Sequence, residues 1–166
     1  MRLYQLGKLG GLDALQLNEA QTPRPGIGQV VVRIRACSLN HRDLNIVSGG
    51  YTSVPLKPGA IPLSDGAGEI AAVGPDVTRW KVGDRVAPIF VQRWIGGNLL
   101  PEYMPSALGG PSDGVLAEQI VRSQEGLVRI PALPVASRRC STRSLGVMKR
   151  VRAILSRDSV RSPRHE

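Results

Sequence analysis

Residues 40–43 read Asn-His-Arg-Asp: an amide, an imidazole, a guanidinium and a carboxylate in four consecutive places. Their chemistry is hydrogen bonding, anion contact and weak metal ligation. Two readings stand side by side. Asn40 is a good helix N-cap, and Asp43 falls at the third helical position, so the two form a capping-box-like pair. The same residues could instead line a cleft. The readings are compatible, because a helix N-terminus also attracts anions. A second polar corner, Ser64-Asp65-Gly66, precedes a strand-like run, and Asp65 beside Gly66 is either turn chemistry or a second functional group. His41 and Asp65 would make only a weak metal pair. Trp94 and Tyr103 lie in a long loop and are either an apolar substrate wall or a cover for the core. Cys37 reads as a small buried hydrophobe.

Short strands must position these groups. Arg2–Leu6 and Leu15–Ala20 are strand candidates, and "TPRPGIGQ" (22–29) is a proline/glycine turn region. Over residues 30–37 the chain ends in apolar/charged alternation, as a strand with one wet face should. "NHRDLNIVSGG" (40–50) suits one short helix that Gly49-Gly50 stops. Gly66–Val73 and Asp84–Phe90 follow as strands about a glycine-marked turn. Residues 92–114 form a loop of a length that is often functional. Val115–Val121 and Leu127–Pro131 resemble a hairpin across residues 123–126. Many short strands at close spacing predict a mainly β barrel or sandwich.

The chain has 166 residues, with 19 glycines, 13 prolines and 4% aromatic residues, a composition that favours strands and turns over long helices. No stretch approaches the roughly 20 apolar residues of a membrane span. The N-terminus carries no signal-like apolar run. Two cysteines, Cys37 and Cys140, make no disulfide framework, so the simplest setting is the cytoplasm. The net charge of +9 is unevenly spread: residues 134–166 hold 9 of the 22 Lys/Arg and 2 of the 13 Asp/Glu. The body is nearly neutral, and a whole-protein case for nucleic-acid binding fails. We expect a body over 1–133 and a basic tail over 134–166. In the tail, Val147, Met148, Val151, Ile154 and Leu155 recur at helical spacing opposite Lys149, Arg150 and Arg152. The tail is then either a disordered or weakly helical appendage or a basic helix for an anionic membrane or acidic partner.

The order of pieces is strand, "SLNHRDLNIVSGGY", "IPLSDGAGEIAAVG", "WKVGDRVAP", long loop, "GGPSDGVLAEQIV", "GLVRIP". Each motif is weak alone, and five in order are specific. Over residues 1–133 the chain resembles the N-terminal half of the medium-chain dehydrogenase/reductase superfamily, nearest its zinc-independent, quinone oxidoreductase-like or alcohol dehydrogenase-like branch. The resemblance implies a GroES-like, partly open β-barrel forming one wall of an active-site cleft. A Rossmann domain holding NAD(P) forms the other wall, and hydride passes to or from carbonyls, alcohols or quinones. The resemblance makes Asn40 and Asp43 the candidate catalytic residues of that cleft; Asp65, Trp94 and Tyr103 are candidates to line the substrate, Asp65 being otherwise a turn residue and the two aromatic rings otherwise a cover for the core. His41 and Arg42 fall near the cofactor phosphate or nicotinamide, and Arg42 suits a pyrophosphate by charge.

Zinc members of the superfamily place a cysteine where Asn40 stands and a Gly-His-Glu corner where Asp65 and Gly66 fall. An amide is a poor zinc ligand, one carboxylate cannot hold the ion alone, and residues 92–114 contain no cysteine for a structural zinc lobe. No metal is expected. Catalysis would then rest on holding a carbonyl beside the nicotinamide with hydrogen bonds to the developing oxyanion. No strand, glycine-rich turn and helix of the dinucleotide-binding type follows residue 133, and the glycine-rich run 109–114 is interrupted by Pro111. The abrupt turn to Arg/Ser-rich sequence suggests a truncated or frameshifted relative of a full-length reductase. Such a chain would bind no cofactor and show no activity alone. A non-enzymatic interaction module or a non-functional gene product is the alternative.

Overall fold

The computed structural model describes residues 1–51 and 53–131. The basic tail expected over 134–166 lies outside the described residues. Strands β1 (Arg2–Leu6) and β2 (Leu15–Glu19) pair antiparallel as a separate hairpin. A five-stranded antiparallel sheet holds β3 (Gln29–Ser38), β4 (Asp65–Val73), β5 (Arg85–Pro88), β6 (Gln119–Ser123) and β7 (Leu127–Arg129), in the order β6-β3-β4-β5-β7. One helix, α1 (His41–Val47), follows β3. The fold is mainly β, as the strand spacing predicts.

The alternation in β3 has its expected outcome. Ile34 and Cys37 are buried, while Arg33 and Arg35 face water. The first half of β3 carries three successive buried valines, Val30 to Val32, so both faces of the sheet's longest strand are covered there. They join Leu3, Ile70, Val86, Val115, Ile120 and Leu127 in a contiguous core or sit beside it. Register shifts between Val31 and Val32 and between Ile34 and Ala36 bend β3 against β4.

The expected hairpin over 115–131 does not form. Residues 115–118 instead lie along β1: Tyr4 N–H donates to Leu116 O and Glu118 N–H to Arg2 O, both at 3.0 Å. β6 pairs with β3, and β7 pairs with β5 at the opposite edge of the sheet. The reason lies in the turn between them. Residues Gln124–Gly126 form a 3-10 turn, capped by Ser123 Oγ accepting from Glu125 N–H. Trp80 Nε1 donates to Gln124 O at 2.8 Å, and the Gln124 side chain accepts from Thr78 N–H and donates to Asp76 O. These bonds tie the turn to the β4–β5 connection and aim β7 at β5.

That connection curls the sheet. Five flat strands put the outer pair about 19 Å apart. Three intervening residues reach at most about 14 Å. The two edges must therefore approach each other at this end, which makes the sheet a partly open barrel.

The candidate functional site

Asn40 occupies the N-cap of α1 with extended backbone, and the predicted capping box with Asp43 is present. Asp43 Oδ2 accepts the Asn40 backbone N–H at 2.8 Å. Asn40 Nδ2 donates to Asp65 Oδ2 at 2.6 Å and lies 3.5 Å from Ser64 Oγ. The two polar stretches picked out in the sequence thus meet in one corner, where β3 hands over to α1 and where β4 begins. Asp65 stands exposed beside Asn40, and Ser64 is buried beneath.

Asp43 is buried, and burial pushes its carboxyl above the ordinary value of 3.8, against the lowering effects of the Asn40 N–H and the Arg42 charge. His41 is exposed, with Nδ1 3.4 Å from Asn45 Nδ2. Arg42 is held differently. Its guanidinium lies between the rings of Tyr51 and Phe90, 4.7 and 5.0 Å from their centroids, and Nη1 donates to Leu108 O at 3.0 Å. Arg42 therefore fastens α1 to the long loop. Trp94 donates to Gly97 O within its own loop, and Tyr103 lies in a 3-10 stretch, Pro101–Ser106. No hydrogen bond joins either ring to the Asn40–Asp65 corner among the described residues.

The corner is set by backbone features that composition does not display. Leu63 adopts a left-handed conformation, φ 66°, immediately before Ser64. For a bulky residue this is strained and persists only where the surroundings enforce it. Two glycines do so. A Cβ on Gly109 or on Gly114 would collide with the Leu63 backbone. Gly114 N–H donates to Ile61 O at 2.6 Å, and Val115 N–H to Leu63 O at 3.0 Å. The glycine-rich run 109–114 thus serves close backbone approach. Tyr51 and Phe90, the partners of Arg42, also escape sequence reasoning, because stacking on a cation has no spacing signature.

Among the described residues no group of three or more His, Cys, Asp or Glu is placed to hold a metal ion. Cys37 is buried, its Sγ donates to Val115 O at 3.3 Å, and burial pushes its thiol up to about 12. A thiol held protonated is a poor zinc ligand.

A curled antiparallel sheet with a polar helix start at its rim defines a partly open barrel lobe. Residues 26–132 match the model of the alcohol dehydrogenase GroES-like domain. The chain belongs to that family. It is 38% identical over 125 residues to a zinc-type alcohol dehydrogenase-like protein of Schizosaccharomyces pombe, a match covering 75% of this chain and 36% of that protein. A quinone oxidoreductase of Pseudomonas aeruginosa is 46% identical over 83 residues, 50% of this chain and 25% of that one. In three dimensions an NAD-dependent alcohol dehydrogenase superposes with a TM-score of 0.64 at 26% identity, over 79% of this chain and 40% of that one. The chain thus spans well under half the length of these relatives. The family is one of oxidoreductases, alcohol dehydrogenases and quinone oxidoreductases among them, and the fold is its GroES-like barrel.

Proposed function

We propose that residues 1–133 form the substrate-facing lobe of a zinc-independent, NAD(P)-dependent oxidoreductase that moves hydride to or from a carbonyl, alcohol or quinone. One observation carries this reading: the hydrogen bond of 2.6 Å between Asn40 and Asp65 at the rim corner. These residues stand where the zinc members of the superfamily have cysteine and histidine. Together they form a polar corner without a metal-ligand set. The Asp65 carboxylate would repel a developing oxyanion, so its suited role is to orient the Asn40 amide. The other Asn40 N–H, held by Ser64 Oγ only across a long 3.5 Å contact, would turn from it to meet a substrate oxygen.

The described residues fit a dinucleotide only in part. The sheets are antiparallel throughout, with no parallel βαβ unit among the described residues. They would supply one wall of such a site. When bound, the dinucleotide would supply or accept the hydride. His41, exposed at the start of α1, is the residue placed to approach a phosphate. Arg42 would act by holding Tyr51, Phe90 and the Leu108 turn in position. Asp43 would hold the helix start, and Trp94 and Tyr103 would border the cleft from the long loop. Residues 134–166 are proposed as a separate basic tail.

Fluorescence titration of the 166-residue chain with NADPH is the test, with turnover of a carbonyl or quinone acceptor assayed in parallel. The expected result is no micromolar binding by this chain, and turnover only when a nucleotide-binding lobe is supplied in trans. Turnover by the chain alone, or stoichiometric zinc by elemental analysis, would overturn the reading.

A further inference from the structure

Where the long loop turns over, it lays a run of apolar side chains open to water. Residues 93–102 are exposed without a break, and four of them are large and apolar: Trp94, Ile95, Leu99 and Leu100. The base of this run is fixed. Val91 bridges to Ala107, Arg93 N–H donates to Ser106 Oγ at 3.0 Å, and Tyr103 N–H donates to Leu100 O at 3.0 Å. The run is therefore a tip carried on an ordered stem. Folded chains rarely leave so many neighbouring apolar side chains in water unless something covers them.

Three features say what covers these. The Trp94 indole has its N–H occupied, because Nε1 donates to Gly97 O across the tip at 3.0 Å. The ring can leave water without stranding a donor, and tryptophan favours the boundary between water and lipid. Next, the backbone of residues 95–99 makes no hydrogen bond to another segment among the described residues. A protein surface laid over the tip would have to pair those amides and carbonyls one by one. The headgroup layer of a bilayer meets them with water and phosphate oxygens, so the tip suits that depth and not the hydrocarbon centre. Charge is the third feature. Arg93 is the only charged side chain from residue 86 to residue 101, and it joins no salt bridge among the described residues. Residues 134–166 add 9 Lys/Arg against 2 Asp/Glu. Apolar insertion and a basic segment are the two signals that together hold a protein at an anionic lipid surface.

We propose that the loop tip over residues 94–100 and the basic residues of 134–166 seat the chain on an anionic lipid membrane. Ile95, Leu99 and Leu100 enter the boundary between headgroups and acyl chains, and Trp94 lies at headgroup level. Binding here needs neither cofactor nor turnover, so it is measured apart from the proposed hydride chemistry.

The test is co-sedimentation of the 166-residue chain with mixed phosphatidylserine–phosphatidylcholine vesicles, with pure phosphatidylcholine vesicles alongside. Trp80 is buried and Trp94 exposed, so a blue shift of tryptophan emission on binding reports Trp94. The chain should bind the anionic vesicles saturably, and more weakly in raised salt or on neutral lipid. Lipids brominated along the acyl chain should quench Trp94 in the bound parent protein. Ile95 and Leu99 are exposed, so Ile95→Ser with Leu99→Ser should fold as the parent does. That double variant should bind at least about tenfold more weakly, having lost two inserted apolar side chains without any change of charge. No binding to the anionic vesicles, binding without quenching of Trp94, or parental binding by the folded double variant would overturn the proposal. Loss of a lipid-free dimer in that variant, with vesicle binding unchanged, would overturn it too and assign the tip to a second copy of the chain.

Discussion

Asp43 caps a helix with one carboxylate oxygen and leaves the other unpaired in an apolar surrounding. Its ionised form is therefore penalised in the native state, and its carboxyl titrates above 3.8. The sign of the linkage follows. The native state takes up this proton at higher pH than the unfolded chain does. Through this group, stability is greatest below 3.8 and is lost as pH rises through the native value. Asp43→Asn keeps an oxygen to accept from Asn40 and removes the titration. Relative to the parent, the variant should gain stability progressively as pH is raised above 3.8, measured by urea unfolding across pH 4–7. Cys37 gives a second residue-scale expectation. A thiol held near 12 presents almost no thiolate at pH 8. In a Cys140→Ser background, Cys37 should react with a disulfide reagent only as fast as the chain unfolds. Rapid native-state labelling would contradict its placement.

At the scale of elements, the corner that carries Ser64 and Asp65 depends on what grips it from behind. Gly114 faces the carbonyls of Ile61, Pro62 and Leu63 with no room for a side chain. Gly114→Ala should cost about 1–3 kcal/mol through forced backbone shifts, seen as a lowered urea midpoint. Gly83→Ala is the contrasting case: a Cβ there meets nothing nearby, and its penalty comes from positive φ alone. Arg42→Lys should retain charge but lose the planar fork that stacks between Tyr51 and Phe90. The long loop should then be cleaved faster by limited proteolysis, with little change in global unfolding. This scale also shows where sequence reasoning ends. The strands and α1 were legible because each carries its own local signal: alternation in β3, the Asn40–Asp43 pair, and Gly49 at φ 82° after the helix. The meeting of Asn40 with Asp65 was legible only through likeness to a family, because 25 residues separate them and no period links them. The left-handed Leu63 was not legible at all, since leucine gives no sign of it. The hairpin expected over 115–131 failed because alternation identifies strands, not partners. Partnering was decided by Gln124 and Trp80, far apart in sequence.

For the whole molecule, closure of the sheet rests on that same contact. Trp80 is buried, donates to Gln124 O at 2.8 Å, and lies under the Arg129 guanidinium at 5.1 Å. Trp80→Phe removes the donor and leaves a part-buried carbonyl with one partner fewer. It should cost about 1–3 kcal/mol, and hydrogen exchange should quicken in β6 and β7 together while β4 stays protected. Exchange confined to one of the two strands would show that they open independently.

The same connection also bears on how copies of the chain behave in a crowded solution. A sheet ordinarily ends in two rows of unsatisfied amides, each a template on which another molecule can add a strand. Here the terminal strands have only five and three residues, and one short turn draws them together. A foreign strand would find little ladder to extend, and exchanging one terminal strand between two copies would drag the other with it. The fold thereby guards itself against strand-by-strand aggregation.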